Sequence, residues 1–346
     1  MKHHLLAGAV TTALMTIAST PAAHAATLFD QLIVAASNAS ANQLMFFNPS
    51  GTLLQSLPTE GQGGVSGNAG GIAATRDRIA VVNYGSSNVS VFVRDDGPTT
   101  FHLEAIVPTA ANPVSVAFAN DHLYVLSGTR VESHFVGSNG VAAAADGSAA
   151  LLHADGTAGQ VGATRHALVI TEKSNAVETV ALSARGVVTG TAVMAANIPS
   201  NIDTPLGLVT TSDEAYVTLA HADEISLVRD NAVLTTVGSG TQHAPCWLAL
   251  DGPFLFSANS PSMSVSRYAV YGQQIVQDAA VAAQFAGNPT DIAYRAGLAA
   301  VVDSNGTVSH VNVFSVDIDG NLTPQGVATV SGKTTNGIAI VPAHGH

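Results

Sequence analysis

His221 and Asp223 stand two residues apart in Leu219-Ala220-His221-Ala222-Asp223. An imidazole with a carboxylate that near has the parts of a general base and its orienter. His243 lies just before Pro245-Cys246-Trp247, and Asp291 closes the triplet Pro289-Thr290-Asp291. These four residues, His221, Asp223, His243 and Asp291, are the candidate catalytic groups. Trp247, Glu172, Asn83, Asn259 and Asp303 are the candidate ligand-binding groups. Carboxylates, imidazoles and carboxamides gathered at one place suit a divalent cation such as calcium, or an acid–base pair. Each residue also has a plainer reading. An Asn or Asp in a tight turn satisfies its own backbone, which suits Asn83, Asn259 and Asp303. Glu172 is followed by Lys173, as in an exposed ion pair. His221 also reads as a solvated loop residue. Trp247 reads as a stacking platform or as packing, and Cys246 as a small buried hydrophobe. Gly-x-Ser-x-Gly, phosphate-loop and His-Glu-x-x-His motifs are not in the sequence.

Residues this far apart need an architecture that gathers them, and a repeat supplies one. Residues 112–135 read as a Pro-led apolar run, a polar break, a second run, a small turn and a third run. The pattern recurs at 244–268 and 288–314. Aligning the third run of every copy gives the column Leu44, Val89, Val131, Val177, Ile225, Val265 and Val311. Successive members lie about 40–48 residues apart, the period of propeller blades. A second column of turn formers follows each third run: Gly51, Gly97, Gly140, Gly186, Asn231, Gly272 and Gly320.

Each copy therefore predicts strands A, B, C and a weaker D. In the third copy, A is 116–118, B is 123–126 and C is 131–135. The apolar A and B runs fit blades buried on both faces, and a polar D fits the outer edge. The first copy begins with strand B at Leu32, and the chain ends on a strand A, 336–342, with no strand B after it. The expected fold is all-β, a seven-bladed β-propeller whose C-terminal strand pairs into the first blade and closes the ring. In such a ring the D–A and B–C connections share one end. That end collects the candidates above, together with Ser115, Gln160 and Lys173.

Lys2, an apolar run over 5–17 and Ala23-His24-Ala25 read as a secretory signal peptide over residues 1–25. Residues 26–346 form the single propeller domain. A secreted or periplasmic location follows, with no membrane insertion after signal cleavage. The formal net charge is −12 with only 12 Lys and Arg, which argues against nucleic acid and anionic membrane surfaces. One cysteine excludes a disulfide within the chain.

The blades resemble those of lactonase-like seven-bladed propellers, the 6-phosphogluconolactonase-related and YVTN-type families. The matching pieces are the strand A openings at Pro113 and Pro289, Tyr124-Val125, Tyr216-Val217, the run 88–92, Thr171-Glu172-Lys173, Pro245-Cys246-Trp247 and the Gly-rich insertion 61–71. The resemblance implies this fold and a site at the channel mouth. Sugar lactonases of this type carry an Arg-His pair at a strand A opening. The triplets Pro113-Val114-Ser115, Pro205-Leu206-Gly207, Pro245-Cys246-Trp247 and Pro289-Thr290-Asp291 lack it. Phosphosugar lactone hydrolysis is therefore not carried over. Two functions stay open: an exported hydrolase or isomerase of small lactones or esters, and a non-catalytic binding or scaffold propeller of the cell envelope. The partner is a small-molecule ligand or an envelope protein.

Overall fold

The computed structural model describes residues 31–332 and 335–342, so the signal-peptide reading of residues 1–25 lies outside the described residues. Seven antiparallel sheets follow one another as seven blades. Helical structure among the described residues is limited to two 3-10 turns, Tyr84–Ser86 and Ala220–Ala222. No helix among them is long and apolar enough to cross a membrane.

The third-run column falls within strand C of every blade, from Gln43–Phe47 to Val308–Val316. Six of the seven turn residues have positive φ, the exception being Gly97. Closure is as expected: Asn336–Val341 pairs antiparallel with Leu32–Ala36, Ile340 opposite Ile33. The free edge of Leu32–Ala36 is thereby covered.

Two blades depart from the regular plan. Blade 3 has five strands, because strand C (Arg130–Gly137) pairs with both Gly140–Val141 and Gly147–Ala150. In blade 4 the outer strand shrinks to Val193–Met194. The core lies between blades rather than within them. Ile33 and Phe47 of blade 1, for instance, cluster with Leu298 and Val311 of blade 7. This explains why the inner strands read as continuous apolar runs. Strand D is exposed along much of its length, as in Leu322–Ser331.

One irregularity positions the site. In blades 1 and 3 to 7 the A–B register shifts at the start of strand A, between Pro113 and Ser115, Ala158 and Gln160, Pro205 and Leu208, Pro245 and Trp247, and Pro289 and Asp291, with the corresponding shift in blade 1. A bulge frees one residue from the ladder and re-aims its neighbours. Repeated around the ring, it turns the strand A openings toward the channel.

Candidate functional site at the channel mouth

The mouth at the D–A and B–C end is filled by the chain itself. The Gly-rich segment after blade 1 is first pinned by Asn38, whose Oδ1 accepts from Gly64 N (2.6 Å) and whose Nδ2 donates to Val65 O (2.8 Å). It then crosses the ring. Asn68 Nδ2 donates to the bulge carbonyl of Val114 at 2.6 Å, and Asn68 Oδ1 accepts from Asn336 Nδ2 at 3.0 Å. Ala69 N donates to the bulge carbonyl of Gly159 at 3.2 Å, and Gly70 O accepts from Val116 N at 2.9 Å. Gly70 has φ +63, and a Cβ there would lie 2.9 Å from Ser115 Oγ and 3.0 Å from Gln160 Nε2. Only glycine fits that crossing.

Trp247 completes this plug. It is buried, and its Nε1 donates to Asn68 O at 3.0 Å. Of its two sequence readings, packing is the one the contacts match. Lys173 Nζ donates to Gly67 O, so Lys173 does not pair with Glu172 as an exposed couple. Gln160 Oε1 accepts from Leu208 N at 2.6 Å. Asp291 is buried, its Oδ1 accepts from Ile292 N at 2.9 Å, and the backbone of Gly70 and Ile338 lies close enough to favour its charged form. Burial nevertheless outweighs these backbone groups and pushes its carboxyl up to about 7. Burial likewise pushes the Cys246 thiol up to about 12, in keeping with an inert core residue.

The ring brings the predicted residues to one end but turns several of them inward. Asn83, Asn259 and Asp303 are buried at the ends of their B strands. Asn83 Nδ2 donates to Asn88 Oδ1 and Ser90 Oγ, both at 2.8 Å. Asn259 Nδ2 donates to Ser264 Oγ at 3.1 Å and Ser266 Oγ at 2.8 Å. Asp303 accepts from Asn312 Nδ2 at 3.0 Å and holds His310 Nδ1 at 2.7 Å. These side chains tie strand B to strand C within a blade.

Glu172 occupies the same place in blade 4 and is fully buried. Its strand C partner is not a hydroxyl but Glu178, also fully buried. Burial raises both carboxyls, Glu178 to about 7; Glu178 Oε2 accepts from Leu152 N at 3.0 Å, while Glu178 Oε1 and both Glu172 oxygens are buried without a hydrogen-bond partner among the described residues. His153 Nδ1 stands 3.6 Å from Glu172. Sequence reasoning missed Glu178. Its signal was available in the repeat frame, where blades 2, 5 and 6 have Ser90, Ser226 and Ser266 at that position.

Three candidates remain at the surface. Asp223 was expected to orient His221, and the structure corrects this. Asp223 adopts φ 57 as it leaves the Ala220–Ala222 turn, which swings its carboxylate toward blade 6. There Oδ1 accepts Ala244 N at 2.7 Å and Oδ2 meets His243 Nδ1 at 2.9 Å. The network assigns the Nδ1 proton to that contact and leaves Nε2 without a partner among the described residues. His221 turns instead to Thr204 Oγ1 at 3.0 Å, with Asp203 at 3.9 Å. Among the described residues no group of three or more His, Cys, Asp or Glu side chains is arranged to hold a metal ion. The cation arrangement that the sequence allowed is not formed by them.

No protein-family model and no curated protein matches this chain. Solved structures do. A Bacteroides fragilis protein provisionally assigned as a 6-phosphogluconolactonase aligns over 91% of this chain and 99% of its own, with TM-score 0.64 and 16% identity. A Bacteroides uniformis protein with the same provisional assignment aligns over 90% of this chain and 100% of its own, also with TM-score 0.64 and 16% identity. A streptogramin B lyase covers 79% of this chain and 87% of its own, with TM-score 0.59 and 12% identity. At such identities the likeness is one of architecture: this chain has the fold of the lactonase-like seven-bladed propellers.

Proposed function

We propose that the chain is an exported lactonase-like propeller, secreted or periplasmic, that binds a small-molecule ligand or an envelope partner without turning it over at the D–A and B–C mouth. One observation carries this reading. The mouth, where backbone from every blade converges and a substrate would be admitted, is spanned by residues 67–70, with Trp247, Lys173 and Asn336 bonded to them. The carboxylates Asp291 and Glu172 lie beneath or beside that plug, buried. The test is a panel of lactones and esters, assayed with and without chelator. This reading expects no turnover with either.

A second reading, hydrolysis or isomerisation of a small lactone or ester on the same end, is favoured by the His243–Asp223 pair. The carboxylate is held by Ala244 N and fixes the imidazole. Nε2 of a neutral His243 would then take a proton from water as that water attacks a carbonyl carbon. Turnover lost in His243→Ala and kept in His221→Ala would replace the binding reading with this one.

A further inference from the structure

The plug closes only one end of the ring. Behind it the central channel continues to the A–B end as a cavity of about 250 Å3. Its walls are strand A residues of six blades, among them Ile72, Leu208, Leu248, Ile292 and Ile338, and Gln160 lines it too. The innermost strand of each blade pairs on one side only, so its other edge turns N–H and C=O groups to the channel. The cavity is thus blind and narrow, with mixed polar and apolar walls. It is smaller than the roughly 300–1,000 Å3 of drug-sized sites, which restricts it to a small ligand.

Arg295 marks the open end. It closes strand A of blade 7 (Asn288–Arg295) and lines the cavity. Its Nη1 reaches past blade 1 to Ala74 O of blade 2, at 3.5 Å. That is a long contact for a guanidinium, and it lays the side chain over the opening. Arg295 is half-buried, and burial depresses its guanidinium. Among the described residues no carboxylate lies within ion-pairing distance of it. Arg78 holds Glu104, Arg229 holds Glu214 and Arg267 holds Asp278, whereas Arg94, Arg130 and Arg185, like Arg295, have no carboxylate within ion-pairing distance among the described residues.

We propose that this blind channel is a binding site for a small monocarboxylate, its carboxylate on the Arg295 guanidinium and its body inside the ring. The guanidinium fork matches a carboxylate, and one cation matches one negative charge. A phosphate dianion would call for a second cation. The proposal rests on the binding reading above and names the ligand class that reading leaves open.

The experiment is calorimetric titration of the full chain with benzoate, hexanoate, benzamide and inorganic phosphate. The variants are Arg295→Gln, Arg295→Lys and His243→Ala. Benzoate and hexanoate should bind wild type and His243→Ala alike. Arg295→Gln should weaken them at least tenfold, and Arg295→Lys should fall between. Benzamide and phosphate should bind far more weakly than benzoate. Benzamide binding as well as benzoate, phosphate binding in place of the carboxylates, no binding by either carboxylate, or Arg295→Gln binding like wild type would each overturn the site. Circular dichroism of each variant verifies folding, and Arg295→Lys keeps the test open if the Gln variant misfolds. The mouth reading fails separately, on His243-dependent lactone turnover, which leaves the carboxylate titrations as they stand.

Discussion

Removing the closing strand should unfold the ring. Asn336–Val341 is the innermost strand of blade 1, although it comes last in the chain. Ile338, Ile340 and Val341 are 4%, 3% and 0% exposed. Burying side chains of this size contributes about 1.5–3 kcal/mol each, so the three together contribute roughly 5–9 kcal/mol before any backbone pairing is counted. A whole domain is stable by only about 5–15 kcal/mol. Truncation after residue 334 also bares the free edge of Leu32–Ala36, an invitation to aggregate. The truncated chain should therefore be unfolded or aggregated at 25 °C by circular dichroism and size exclusion. Ile340→Ala is the milder perturbation. It should cost about 2–5 kcal/mol and lower Tm by at least about 4 °C. A truncated chain that melts with the full chain would refute the closure argument.

Asn68→Ala should orphan the Val114 carbonyl and the Asn336 amide beneath the plug. Its cost should be about 1–3 kcal/mol for each buried group left unpaired, read as a lowered denaturant midpoint, and an unchanged midpoint would contradict it. The Glu172–Glu178 pair should leave a pH signature. Both carboxyls are raised in the folded chain, Glu178 to about 7, so the fold keeps protons that the unfolded chain has already released. Stability should therefore fall as pH rises from the ordinary carboxylate range through about 7. Glu178→Gln removes one of the two raised carboxyls, so that fall should shrink. Asp291, pushed up to about 7 by its own burial, should leave a residual slope of the same sign. Urea midpoints measured across a pH series decide this, and identical slopes in the two proteins would reject a raised Glu178 carboxyl as the source.

The repeat made the fold legible because each blade repeats the same local chemistry. Runs buried on both faces mark A and B, a turn former marks C–D, and the truncations at the two ends complement each other. The site was less legible because the repeat frame locates a residue without saying which way it points. His221 and Asp223 are neighbours in sequence, but the positive φ of Asp223 sends its carboxylate to His243 of the next connection. Asn83 and Asn259 reached the expected end and then turned inward, since strand C offers hydroxyls two positions beyond their cross-strand partners. The plug was the larger surprise. The insertion 61–71 was visible as a Gly-rich stretch, but its path depends on bulge carbonyls contributed by distant blades. Arg295 left no sequence signal, because its interest lies in the partner it lacks.

The central claim is that this segment seals one mouth of the ring and leaves the other as the way in. Trp247, the only tryptophan, sits under the seal at 8% exposed. Acrylamide quenching of its fluorescence in the native protein tests the claim most directly. A sealed mouth predicts blue-shifted emission and quenching several-fold weaker than in the urea-unfolded chain. Native emission that quenches as readily as the unfolded chain would show the mouth open and contradict the account.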